Sequence, residues 1–224
     1  MTWWPWQPRG ETLVELASFA HSYHFSEVKN LKESLKQKHF ASFLTSKCLS
    51  LYNYPAAQGQ GFELYLAQLW QADEVLLLAL VLPTTWAWEL RLKAMPKLHP
   101  RQLELAASAF KGFSVFSHID AKFDDTVSLV ASHPQMAQDK LAFWPRVYLR
   151  KILGEARASN HSQDRHILFN PQGIALYRTF CKDQLQQEVH TISQMLTDVL
   201  SLYAVFSRDT TLINQALNMS SAAD

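Results

Sequence analysis

Val75 to Leu82 reads VLLLALVL, the longest wholly apolar run in the chain. A segment without a polar position cannot turn a face to water, so other parts of the chain must cover it on both sides, as a central strand or a buried helix. Leucine and alanine favour the helix. The punctuation favours the strand, because Gln71-Ala72-Asp73 before the run and Pro83-Thr84-Thr85 after it are turn material between runs of similar length. Upstream, Phe62, Leu64 and Leu66 alternate with Glu63 and Tyr65, and downstream Trp86 to Leu92 alternates strictly, the mark of half-buried strands. The segment therefore predicts a three-stranded antiparallel meander with residues 74–82 in the middle, the buried helix being the alternative.

Around it the periodicity is helical at both ends. Thr12-Leu13-Val14-Glu15 has the form of a capping box and predicts a helix to about Tyr23. From Ser26, a second helical stretch is expected, with Val28, Leu31, Leu35, Phe40, Phe43 and Leu44 at three- and four-residue steps and Lys29, Lys32 and Lys36 on the other side. The turn-rich Asn53 to Gly61 then divides the chain into residues 1–58, an aromatic arm plus a helical region, and residues 59–224, an α+β domain, although the two can form one continuous domain. Phe113 to Phe116 and Thr126 to Ala131 read as short strands. Pro134 to Leu153 reads as a helix that Pro145 must kink or split, with Gly154 as its C-cap and a polar loop from Glu155 to Asp164. His166 to Phe169 and Ile174 to Tyr177 flank the turn Asn170-Pro171-Gln172-Gly173 as a hairpin. Finally, apolar residues from Tyr177 to Phe206 step by three or four, predicting a helix of about 42 Å if continuous. The fold class is α+β: a helical N-terminal region, a mainly antiparallel sheet and a long C-terminal helix packed on the sheet.

The stretch Phe123-Asp124-Asp125-Thr126-Val127-Ser128-Leu129-Val130-Ala131-Ser132-His133-Pro134, followed by a helix, a hairpin and a terminal helix, resembles a layout of uncharacterised bacterial proteins. In those an F-D-x-x-F-x-V strand precedes a D-P helix start. Here Thr126 stands at the second phenylalanine and His133 at the aspartate. The resemblance spans about residues 60–207 and implies an antiparallel sheet with helices on one face, in a bacterial protein, without implying an activity.

Composition narrows the function classes. A formal net charge of +1 gives no global reason to bind nucleic acid. Two cysteines far apart, Cys48 and Cys181, argue against a disulfide framework and for a reducing compartment. No apolar run approaches a membrane span, so a cytoplasmic protein is expected. Six glycines form neither a P-loop nor a G-x-G-x-x-G, and no G-x-S-x-G elbow occurs. No cofactor, resident metal or catalytic residue is therefore expected. His21 and His24, with Glu27 or His39, have ligand-like spacing but no accompanying motif, and His161 and His166 flank a loop.

What remains points to contact. Trp3, Trp4 and Trp6, spaced by Pro5, are unusual at a terminus, where chains are normally polar. They suit a ring-lined arm docking on the protein itself, on a partner for which tryptophan is a preferred anchor, or on a membrane surface. Arg146, Arg150, Lys151, Arg157 and Arg165, against Glu155 and Asp164, form a local basic cluster able to touch nucleic acid, an acidic protein surface or anionic lipid. The expected function is a non-catalytic adaptor or assembly subunit of a larger complex, meeting another protein or a second copy through the arm or the terminal helix. The alternatives are a metal-assisted hydrolase built on His118, Asp120, Asp124 and Asp125, and a peripheral membrane protein.

Overall fold

The computed structural model of the chain describes residues 10–29, 47–71, 74–84, 90–109, 112–116, 119–141, 143–158, 165–180 and 188–207. The apolar run is a strand. β4 (Glu74–Pro83) pairs along its length with β3 (Phe62–Gln71), from Gln71 opposite Glu74 to Phe62 opposite Pro83. Alternation sends Leu77, Ala79 and Val81 to one face and Leu76, Leu78, Leu80 and Leu82 to the other, and all seven are buried. Leu78 and Ala79, neighbours pointing in opposite directions, are both at 0% exposure, as a doubly covered central strand requires.

β4 lies inside a nine-stranded sheet whose described pairings are all antiparallel, in the order β1-β2-β3-β4-β9-β8-β5-β7-β6. The remaining strands are β1 (Ser26–Glu27), β2 (Lys47–Asn53), β5 (Leu92–Pro96), β6 (Ser114–Phe116), β7 (Val127–Ala131), β8 (Arg165–Asn170) and β9 (Gly173–Phe180). Among the described residues six helices accompany them: α1 (Gly10–Ser22), α2 (Pro100–Ser108), α3 (Ala121–Asp124), α4 (Pro134–Lys140), α5 (Phe143–Ala158) and α6 (Glu188–Ser207), with a 3-10 turn at Pro55–Gln60. The main core lies between one sheet face and α1, α3, α4, α5 and α6. On the other face α2 covers Met95 and Val130, beside a second apolar cluster of β2, β3, β4, β8 and β9 residues. The sheet runs without a break across residue 58, since β1 and β2 are its first two strands.

The α+β class and the packed C-terminal helix are as expected, and several details are not. The third strand of the meander does not follow β4. β5 pairs instead with β8 and β7, because β9 occupies the outer edge of β4; residues 85–89 lie outside the described residues. The second helical stretch does not begin at Ser26. Ser26 and Glu27 pair with Asn53 and Tyr52 as a strand, and residues 30–46 lie outside the described residues. His24, with φ of 59°, turns the chain out of α1, and Phe25 then packs on Tyr54 with centroids 5.1 Å apart, holding β1 beside β2. α1 starts at Gly10, so Thr12 sits inside the helix.

The helix from Pro134 splits as expected, at Leu141, where ψ is 59°, leaving Pro145 in the first turn of α5, where a missing N–H costs nothing. Gly154 is not a C-cap. It lies within α5, where an added Cβ would stand 2.9 Å from Thr126 Cγ2, so the glycine lets helix and sheet approach. Tyr177 to Phe180 belong to β9, paired with β4, residues 181–187 lie outside the described residues, and the described terminal helix is Glu188–Ser207. Its 20 residues span about 30 Å.

The β8–β9 hairpin is set by its turn. Asn170 Oδ1 accepts from the backbone N–H of Gln172 at 2.8 Å and of Gly173 at 3.1 Å, an aspartate-like local cap. Gly173 presses on β4: a Cβ there would meet the Val81 carbonyl oxygen at 2.0 Å. Replacing Gly173 by alanine is expected to cost on the order of 3 kcal/mol through backbone displacement. Urea unfolding of the variant measures it, and an unchanged midpoint would contradict this packing.

Candidate functional site

Several residues singled out in the sequence take structural duties. Asp120 caps α3, its Oδ1 accepting from Phe123 N at 2.9 Å, while Oδ2 meets Arg146 at 3.2 Å. The backbone carbonyl of Asp124 accepts from Lys97 Nζ, and Asp125 follows as the helix C-cap. The Asp120 carboxylate serves the turn, Asp124 and Asp125 contribute backbone groups to it, and His118 lies outside the described residues. Among the described residues no group of three or more His, Cys, Asp or Glu side chains is placed to hold a metal ion. His21, His24 and Glu27 are all exposed, and His39 and His161 are outside the described residues.

The basic cluster is divided. Arg146 is engaged by Asp120, Arg150 is half-buried one turn further along α5, and Lys151 is exposed, turned about 100° from Arg150. The backbone of Arg157 continues α5. Trp3, Trp4, Trp6 and Cys181 lie outside the described residues, and Cys48 lies in β2.

Two polar groups lie inside the sheet layers, and they take Arg165 out of the expected basic cluster and His166 out of the pair of histidines expected beside a loop. On the helix-rich face, strand register aligns Ser50, Gln68, Leu77, Arg178 and Arg165 in one row. Asp198 of α6 meets this row, 3.5 Å from Arg165, and accepts from Gln194 at 2.8 Å. Arg165 and Asp198 side chains are only 14% and 9% exposed, so the pair fixes where α6 lies along the sheet rather than decorating a surface. On the opposite face His166 stacks on Tyr177, its partner in register, with centroids 5.0 Å apart, and Lys93 Nζ stands 5.7 Å from the Tyr177 ring centre. Burial pushes Lys93 down to about 8 and Tyr177 above its ordinary value; burial, and then the Lys93 charge, push His166 down to about 3. His166 Nδ1 is buried and finds no hydrogen-bond partner among the described residues. This group is a neutral imidazole and a weakly held ammonium on a tyrosine face. In the sequence His166 stood out only as a loop-flanking histidine, and Lys93 only as a cation between the apolar Leu92 and Ala94.

The exposed apolar residues are concentrated at one end of the sheet. Among the described residues the large hydrophobics that stand exposed are Leu105 (69%), Val115 (38%) and Met136 (39%). Val115 lies on β6, the last strand of the sheet; Leu105 lies on α2 and Met136 on α4, and both helices pack on β6 and β7, from opposite faces. Val115 opposes Val130 and so shares the α2 face. Ala106 and Ala107 turn α2 inward, leaving Arg101, Leu105 and Ser108 on its outer stripe.

No family model matches the chain, and no curated protein does. Among solved structures, the crystal structure of the mycobacterial trehalose monomycolate transport factor A, TtfA, aligns with a TM-score of 0.58 over 94% of this chain and 96% of that one, at 9% identity. The likeness is one of fold. It shows that the whole sheet and its helices form an arrangement found in a bacterial protein. No helix among the described residues is long and apolar enough to cross a membrane.

Two measurements test the buried groups. His166 and Lys93 both take up protons less readily when folded. Between pH 6.5 and about 3 for His166, and between pH 10.5 and about 8 for Lys93, the unfolded chain binds a proton that the folded chain refuses, so stability rises with pH in each window. Each window is expected to change stability by a few kcal/mol, about 1.4 per tenfold change in proton affinity. Chemical denaturation at pH 4.5, 7 and 9.5 should show His166→Phe flattening the acid loss and Lys93→Met flattening the alkaline gain. Separately, Asp198→Ala leaves Arg165 buried without its ion-pair partner and should cost about 3 kcal/mol by urea titration, whereas Lys151→Ala at an exposed position should change little.

Proposed function

We propose that the chain is a non-catalytic adaptor or assembly subunit of a larger bacterial complex, working in the cytoplasm through protein–protein contacts. The observation that supports this is the β6 edge. An edge strand offers unpaired backbone groups to another chain, and here the exposed Val115 lies on that strand, with Leu105 and Met136 on the two helices beside it. Single exposed apolar residues are ordinary. Three on the elements that border one sheet edge suit strand addition, in which the backbone supplies attachment and flanking side chains supply selectivity. By contrast, α6 spends its apolar stripe on its own sheet: Ile192, Met195, Leu196, Val199 and Leu202 are all buried. The tryptophans Trp3, Trp4 and Trp6 and the α5 cations Arg150 and Lys151 are the further contact points of this reading. The structural neighbour is by name a transport factor, which accords with an accessory role.

The test is affinity purification of the full chain from its native host. A Leu105→Glu, Val115→Lys variant should keep its stability within about 0.5 kcal/mol per site, as exposed substitutions do, and lose the specific partners that the wild type retains. A parallel Trp3→Ala, Trp4→Ala, Trp6→Ala variant reads the arm separately. Retention of every partner by both variants would refute the contact reading.

A further inference from the structure

We infer that the α2-side face of β5, β8 and β9 binds a small carboxylic acid, whose two oxygens are taken by Lys93 Nζ and the ring nitrogen Nδ1 of His166, beside Tyr177. The first observation is His166 Nδ1, which is buried and finds no hydrogen-bond partner among the described residues. A ring nitrogen is a donor or an acceptor in either tautomer, and buried polar groups of folded proteins are as a rule partnered. Stacking on Tyr177, with centroids 5.0 Å apart and the planes 17° from parallel, holds the imidazole in place. The ring is thus ordered before a ligand arrives, which lowers the entropic cost of binding.

Register supplies the second group. Lys93 pairs with Leu168, two residues along β8 from His166 and on the same face. Diagonal neighbours of this kind lie within reach of a long side chain, and Lys93 Nζ stands 5.7 Å from the centre of the Tyr177 ring on which His166 stacks. The Lys93 charge is also one of the two causes that push His166 down. Ammonium and imidazole therefore share one small region. On this face the three strands carry two basic groups, Lys93 and His166, and no carboxylate. The helix on the same face, α2, carries Arg101 and Glu104, both exposed to solvent.

The donors select the ligand. An ammonium and one imidazole N–H match the two oxygens of a carboxylate, whereas a phosphate brings more charge and more acceptor oxygens than two donors satisfy. A carboxylate between them favours the charged form of Lys93 that burial opposes. It accepts from His166 Nδ1 and so selects the tautomer that carries its proton there. Leu168 and Ala175, at 7% and 0% exposure, make the floor apolar, and a low local dielectric strengthens the charge-assisted bonds. Lys93, His166 and Tyr177 are each half-buried as whole residues, so the group is reached from solvent.

Nuclear magnetic resonance of the full chain, with nitrogen-labelled lysine and histidine, tests the site by titration with sodium acetate at pH 7 against sodium chloride at equal ionic strength. Acetate should shift the His166 ring nitrogens and Lys93 Nζ saturably, and at saturation the Lys93 midpoint should move from about 8 toward 10.5. Methyl acetate, similar in shape but uncharged, should give no saturable shift. Lys93→Met should weaken acetate binding about tenfold, the effect of one charge-assisted hydrogen bond. His166→Phe, which keeps a ring on Tyr177, should weaken it less, and Lys151→Ala should leave it unchanged. Equal behaviour of acetate and chloride in the wild type overturns the inference, whether or not the variants fold. So does acetate binding that keeps its affinity in both Lys93→Met and His166→Phe, because the acid then sits elsewhere on the chain.

Discussion

Burial of β4 on both faces is the constraint on which the other layers depend. Four of the apolar side chains from Val75 to Leu82 point to one side and four to the other, and none has a polar alternative, so the sheet needs a complete cover above and below this strand. At roughly 25 cal/mol per Å² of apolar surface removed from water, fully covering each leucine stabilises the fold by about 2 kcal/mol. Both edges of the strand must also be paired, because a buried strand cannot leave its amides unsatisfied. β3 supplies one edge, in register from Gln71 opposite Glu74 onward, and β9 the other. Docking β9 then carries the end of the chain back across the helix-rich face, where α6 covers Ala79, Leu176 and their neighbours and brings Asp198 to Arg165.

Within this apolar frame the buried polar groups act as locators. Arg165 and Asp198 make sense only with α6 at one position along the strands, since a slide of one turn would leave two buried charges apart. Lys93 and His166 on the other face carry the opposite character, because burial works against their charged forms and both lie against the Tyr177 ring. The sheet's far end has neither device. There β6 is short, its last neighbour is β7, and the surrounding helices leave apolar side chains in water, which is why the contact reading rests on that end.

Much of the architecture was legible because local patterns carried it. The β3–β4 hairpin followed from two runs around Gln71-Ala72-Asp73, and the β8–β9 hairpin from Asn170 to Gly173, since turn residues and period-two alternation are properties of short segments. That Pro145 divides the helical pattern was legible for the same reason, although the break falls at Leu141 and leaves Pro145 in the first turn of α5. The errors fell where a local pattern had two meanings. Tyr177 fits a helical stripe reaching Phe206, yet it pairs with Leu78 as a strand, because the empty edge of β4 outweighs local periodicity. Gly154 looked like a terminator and is a close-approach residue, which only the proximity of Thr126 reveals. The aspartates around residue 120 offered a catalytic reading that capping and Arg146 account for. The candidate edge was invisible, since Leu105, Val115 and Met136 are ordinary core letters until exposure is known.

By itself the sequence determined the α+β class, the hairpins, the central place of the apolar run and the lack of any recognisable catalytic motif, because these follow from periodicity, turn chemistry and composition over short distances. Only the tertiary structure decided the order of the strands, the insertion of β5 between β8 and β7, the ion pair that locates α6 and the place of β6 as the last strand among the described residues. Those outcomes depend on which distant segments compete for the same edge or face, and that competition is settled by burial across the whole molecule rather than by any one stretch of the chain.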